Sequence, residues 1–227
     1  MRHIVGALAF LVVAIFPAAA DTLGFSNFKG TSLTFTGNGT PGANFTMTTA
    51  LNGIQQVGFE VTLASDPSDL GLFGSISGSY QYKDSQIVTS NSGLTETAPV
   101  IDNTGPFTFT IWDSTGGGGS AFTANIAWIT IMTTLANGGL NSGGTINLTN
   151  LHYTGSNSGL QSLAGNANGV VTASFTFSAP TSLTELESGT HTTTYSGSLT
   201  APDGGMTLML LGGALLGLES LRRRFRT

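Results

Sequence analysis

The chain has 227 residues, seven Lys and Arg, twelve Asp and Glu, and no cysteine. The lack of cysteine excludes disulfides, thiolate metal sites and cysteine nucleophiles, so a folded domain here rests on core packing alone. The charge is unevenly spread. Between residues 21 and 201, ten carboxylates stand against Lys29 and Lys83 with no arginine, which leaves that stretch eight charges negative. Such a surface lacks the basic footprint that nucleic-acid binding needs.

Met1-Arg2-His3 is a short basic start, and Ile4 to Phe16 is an unbroken apolar run. Pro17 ends the run, and Ala18 and Ala20 place small side chains at the −3 and −1 positions before Asp21. This is the three-part layout of a secretory signal peptide over residues 1–20, with cleavage expected between Ala20 and Asp21. Signal peptidase is the processing partner it implies.

Residues 21–201 are long enough to form one exported domain with a real core. Runs of alternating apolar and polar residues recur between Gly/Asn/Ser/Pro clusters, which is the pattern of half-buried strands. Ser32–Thr36 points Leu33 and Phe35 to one side, Asn38-Gly39 turns, and Phe45–Thr49 follows. Gln55–Leu63 gathers Val57, Phe59, Val61 and Leu63 on one face; Asp66-Pro67-Ser68-Asp69 reads as a turn. Gly74–Lys83 aligns Ile76, Gly78, Tyr80 and Tyr82, and Phe107–Asp113 aligns Phe107, Phe109 and Ile111 with Trp112 on the opposite face. Gly116–Gly119 reads as a flexible connection, because no Lys or helix start follows to make a phosphate cradle. Phe122–Met132 is the most apolar stretch and reads as a central strand buried on both faces. Thr145–Tyr153 changes phase partway, which a β-bulge near Asn150 explains. Gly169–Ser178 and Thr192–Thr200 complete the set. Nine or ten strands with no helical periodicity predict an all-β domain, an antiparallel β-sandwich of jelly-roll type.

The domain shows no catalytic constellation. His152 and His191 lack ligand spacing, and no serine-nucleophile elbow occurs. The domain reads as non-enzymatic, with no metal site assigned. Asp66 with Asp69, and Glu185 with Glu187, offer oxygens that Ca²⁺ accepts, although solvated charge is the plainer reading of both pairs. Trp112, Trp128, Tyr80 and Tyr82 are candidates for a sugar-stacking surface. Trp112 is the best placed, because its neighbours point the other way; Trp128 reads as core.

The tail, residues 202–227, has three parts. Pro202-Asp203-Gly204-Gly205 is turn chemistry, where proline ends a strand and glycine frees the chain. Met206–Leu218 carries no charge, and only Thr207 in it is polar. Extended to Leu221 it makes roughly 24 Å of helix, slightly short of a bilayer core of roughly 30 Å that snorkelling side chains help to span. Arg222, Arg223, Arg224 and Arg226 then form a cytoplasmic stop.

This order of motif, apolar helix and arginines resembles the PEP-CTERM protein-sorting signal of bacteria that make exopolysaccharide. Asp203 stands where the commonest form has Glu and Gly204 where it has a second Pro, so the tail is similar to the Pro-Asp-Gly-Gly variant. The resemblance implies an exosortase as second processing enzyme, cutting near Pro202. It also implies an inner-membrane-anchored precursor that becomes a cell-surface or extracellular-matrix protein associated with exopolysaccharide. A carbohydrate-binding module that retains the polysaccharide is the alternative; a secreted hydrolase ranks below both.

Overall fold

Along Ala121–Thr134, burial alternates almost residue by residue: Phe122, Ala124, Ile126 and Trp128 are buried, while Thr123, Asn125 and Ala127 are not. A strand with period 2 and one apolar face must place that face on a core and the other towards water. The expectation that this strand is buried on both faces is therefore corrected. Its outer positions are mostly small or polar, with Ile129 and Met132 exposed among them, and only its inner row is sealed.

The computed structural model describes residues 20–37, 42–53, 55–90, 93–104, 107–115, 119–134, 142–166, 168–177 and 181–201. The predicted signal peptide up to Ala19, the Pro202–Gly205 motif, the apolar tail segment and the arginine cluster lie outside the described residues. Among the described residues, no helix is long and apolar enough to cross a membrane.

The strands in chain order are β1 (Asp21–Asn27), β2 (Leu33–Gly37), β3 (Ala43–Met47), β4 (Ala50–Asn52), β5 (Gln55–Val57), β6 (Phe59–Ala64), β7 (Phe73–Ile76) and β8 (Ser79–Tyr82). They continue as β9 (Val88–Ser90), β10 (Thr95–Pro99), β11 (Ile101–Thr104), β12 (Thr108–Trp112), β13 (Ala121–Thr134), β14 (Ser142–His152), β15 (Asn168–Thr176) and β16 (Thr190–Ala201). Among the described residues, one short α-helix, α1 (Ser158–Ala164), joins β14 to β15.

The protein is all-β and antiparallel, as expected, but the sheet closes. The hydrogen-bonded path β1–β6–β7–β12–β13–β14–β15–β16 returns to β1, because β1 pairs with β16 from Asp21↔Ala201 to Ser26↔Ser196. A jelly-roll sandwich has two separate sheets; here the continuous ladder makes an antiparallel barrel, which removes the open edges. Two long strands extend past the ring. The first residues of β16, Thr190–Thr193, pair with β2, which continues to β3, β8 and β11. The end of β13 pairs with β10, and β9 lies outside β10.

The interior is filled by side chains. Phe25, Phe59 and Phe109 form one cluster, with ring centroids 4.5 Å apart for Phe25–Phe59 and 5.3 Å for Phe59–Phe109. Phe35, Phe45, Tyr80, Trp128 and Phe175 form a second, linked by Phe45–Trp128 at 4.9 Å and Phe35–Phe175 at 5.5 Å. Burying one such ring contributes about 2–3 kcal/mol. Ring–ring geometry adds about 1 kcal/mol. Filling of the barrel, more than the angle between rings, therefore holds it together.

Two runs read as single strands are broken in the structure. Gln55–Leu63 divides at Gly58, and Gly74–Lys83 divides at Ser77-Gly78, where Gly78 has φ +126° and the ring of Phe107 lies against it. Only glycine adopts that backbone without strain. The bulge expected near Asn150 is present: Thr149 pairs with Asn125 and His152 with Thr123, so two residues of β14 oppose Ala124. Asn150 itself has φ 54°.

Candidate functional site

Each predicted position can be followed into the fold where it is described. Asp21 is the first residue of β1, and its cross-strand partner is Ala201, the last residue of β16. Ala20 precedes it directly. The two ends of the folded ring are therefore side by side. Ala18, Pro202, Asp203, Gly204, Gly205, Arg222, Arg223, Arg224 and Arg226 lie outside the described residues.

Trp112 ends β12 and is half-buried. It pairs with Phe73 of β7 on one side and Ala121 of β13 on the other, and Phe73 pairs in turn with Glu60 of β6. Directly opposed residues on an antiparallel sheet share a face. Glu60, Phe73, Trp112 and Ala121 thus form one row on the outer wall, all half-buried, behind the inward Phe59, Ile111 and Phe122. Phe28, just past β1, meets Phe73 edge-on at 5.2 Å. The sequence singled out Trp112 alone. Phe73 and Phe28 were missed because neither stands in a run whose partner strand the sequence reveals.

The other aromatic candidates are core. Tyr80, Tyr82 and Trp128 are 1%, 0% and 2% exposed, so none can stack on a ligand at the surface. Tyr82 donates its hydroxyl to the Leu183 carbonyl at 2.6 Å, and the Trp128 indole donates to the Thr130 carbonyl at 2.8 Å. Burial pushes the Tyr82 hydroxyl well above the ordinary range, with Glu187 and Glu96 adding to it. These are polar handles anchored inside the wall.

The acidic pairs separate by environment. Glu185 and Glu187 lie in a 3₁₀ turn, with buried Leu186 between them. Glu185 accepts from the Ser182 amide at 2.8 Å. Glu187 is pushed up by burial first and then by Asp84.

Asp66 and Asp69 lie in the turn between β6 and β7 and have opposite surroundings. Asp66 caps the 3₁₀ turn Pro67–Asp69: its carboxylate accepts from the Ser68 amide at 2.8 Å and from the Ser158 hydroxyl at 2.6 Å. The Ser158 bond, then Ser68, holds it below the usual carboxylate range. Asp69 is 3% exposed, and its carboxyl lies against Gly159 of α1. Burial, then the charge of Asp66, pushes it up to about 6, while a hydrogen bond from Asn157 works the other way.

Helix α1 was invisible to periodicity because it makes only two turns. Its signal was local: Asn157 is the N-cap, and its side chain accepts from the Leu160 amide at 3.0 Å. Leu160 and Leu163 are buried beneath it. Tyr153, just past β14, donates to Asp113 at 2.6 Å and accepts from the Asn157 amide at 3.0 Å, so the helix start is tied to the residue that follows β12.

Of the histidines, His191 contacts the Ser188 carbonyl at 2.7 Å and His152 is exposed. Among the described residues, no three His, Asp or Glu side chains converge as a metal-binding group. No protein-family model, no curated protein and no solved structure matches this chain.

Proposed function

We propose that this chain is an exported, non-catalytic protein of the cell surface or extracellular matrix, processed at both ends by signal peptidase and an exosortase and associated with exopolysaccharide. The apolar tail with its arginines anchors the precursor in the inner membrane until the second cut. One observation carries the reading: the barrel begins at Asp21 and ends at Ala201, and these residues are cross-strand partners. The two cuts inferred from the sequence motifs thus fall just outside the closing pair of the described ladder. A cut inside the ladder would cost the closing pair; a cut at these points costs nothing of it. Intact mass spectrometry of membrane and medium fractions tests the reading. A species starting at Asp21 and ending close to Pro202 is expected. A membrane-bound species retaining Thr227 would overturn the exosortase role.

A second reading is favoured by the outer row. Aromatic faces stack on pyranose rings, and a neighbouring carboxylate accepts from sugar hydroxyls. Trp112, Phe73 and Glu60 supply both on one wall. A domain eight charges negative suits a neutral polysaccharide better than an anionic one. Affinity electrophoresis through a neutral glucan should retard the native domain and not Trp112→Ala. Equal mobility of the two would remove this reading and leave the first intact.

A further inference from the structure

The carboxyl of Asp69 is 3% exposed, yet its Oδ1 meets no donor. A buried ionised carboxylate with an unmet oxygen is strongly disfavoured unless a cation or a proton neutralises it. Among the described residues, no cationic side chain lies on the elements packed around it; cleavage before Asp21 adds one cation, the new α-amino group on β1. Its own turn adds the carboxylate of Asp66. Strand β1 adds Asp21, which the Ser162 hydroxyl of α1 holds close. Just past β12, Asp113 is tied in by Tyr153, the residue after β14. Helix α1, with the sequence Ser-Gly-Leu-Gln-Ser-Leu-Ala, carries no charge, and His152 at the end of β14 is exposed. Both lysines of the domain, Lys29 and Lys83, are exposed and lie outside these elements.

We infer that Asp69 is the proton-sensitive bolt of a latch in which α1 closes over the barrel end where Asp21 and Ala201 meet. Neutral Asp69 allows Gly159 and the first turn of α1 to sit directly on it. Loss of the proton leaves an uncompensated charge beneath the helix, beside Asp66 and Asp21. The strain is relieved when α1 lifts and water reaches the carboxylate. Lifting exposes Leu160 and Leu163, which are otherwise sealed, next to the two chain ends. The tie from Ser162 to Asp21 is broken by the same movement.

The sign follows from linkage. Asp69 is pushed up to about 6 in the closed state from an ordinary 3.8. In the open state, wet, it returns towards that ordinary value. The closed state therefore binds the proton more tightly. Closure is complete below the ordinary value and weakens as pH rises through about 6.

The test is hydrogen exchange of the native processed protein from pH 4.5 to 8, with rates corrected for intrinsic exchange. Protection of the amides from Gly155 to Asn166 should fall at least tenfold as pH rises through about 6, while amides of β8 keep theirs. Asp69→Asn, which cannot ionise, should hold α1 protection flat with pH. Asp66→Asn, which keeps Asp69 and removes its nearest like charge, should move the midpoint down. The second variant keeps the test informative if the first folds poorly. A pH-independent α1 in the native protein, or an unchanged midpoint in Asp66→Asn, would overturn the latch. So would a gain of α1 protection on adding CaCl₂ at pH 7.5 that Asp69→Asn abolishes, because a metal would then be the neutralising group.

Discussion

Gly197 and Phe25 face each other across the β1–β16 pair that closes the barrel, and the Phe25 ring lies where a side chain at 197 would have to go. A Cβ there would collide with Phe25 Cζ and come within 2.7 Å of the Thr172 carbonyl. The same device recurs at Gly74, covered by its cross-strand partner Phe59. Covering a strand glycine with an aromatic ring restores the packing that the missing side chain forfeits.

Gly197→Ala should therefore destabilise the barrel by about 2–3 kcal/mol, the usual cost of overpacking a filled core. Gly143→Ala is the matched control. Its nearest neighbour would be the Ala173 carbonyl at 3.6 Å, an ordinary contact, so that variant should be neutral or slightly stabilised. Chemical denaturation of the two variants side by side decides it.

Leu199, at 0% exposure, opposes Leu23, at 1%, in the same closing pair. Truncation to alanine leaves a cavity in the ring, at a cost of about 2–4 kcal/mol. The expected result for Leu199→Ala is a lower denaturant midpoint with an unchanged slope; an unchanged midpoint would mean that β1 and β16 do not close the barrel in solution.

Two buried tyrosines should differ. Tyr195 donates to the Gly58 carbonyl at 2.6 Å, and Thr31 donates to that carbonyl at 2.6 Å as well. Tyr195→Phe therefore leaves the acceptor with a partner and should cost about 1 kcal/mol. Tyr82→Phe withdraws the 2.6 Å hydroxyl bond from the Leu183 carbonyl inside the core and should cost more, about 2 kcal/mol. Urea denaturation of both variants gives the order.

The Ser158 hydroxyl is the largest cause holding Asp66 below the usual carboxylate range. In Ser158→Ala the carboxyl of Asp66 should titrate at higher pH than in the native protein. The stabilisation linked to Asp66 is present above its ordinary value and is lost as pH falls through the depressed one, so Ser158→Ala should narrow the acid range over which the turn survives. Carboxyl chemical shifts followed through a pH titration report this directly.

The amino-acid sequence by itself determined the strand faces. Period 2 placed Phe35, Phe59 and Phe109 inward, and the structure buries all three, whereas Leu63, aligned with Phe59 in the sequence, is exposed because the register of β6 against β1 shifts between Gly24 and Phe25. The phase slip near Asn150 was legible for the same reason, since a bulge shifts the alternation that the side chains record. The sequence also singled out Trp112 as facing away from its buried neighbours. It did not reveal which strand lies beside which. Alternation fixes the face of a strand but not its partner, and pairing is decided by the shape of the whole ring. Closure through Asp21↔Ala201 and the company of Phe73 and Glu60 around Trp112 both depended on long-range neighbours. The same holds for Asp69. In sequence it is one acid of a polar turn beside Asp66; only the packing of Gly159 over its carboxyl removes it from water and separates its chemistry from that of its neighbour.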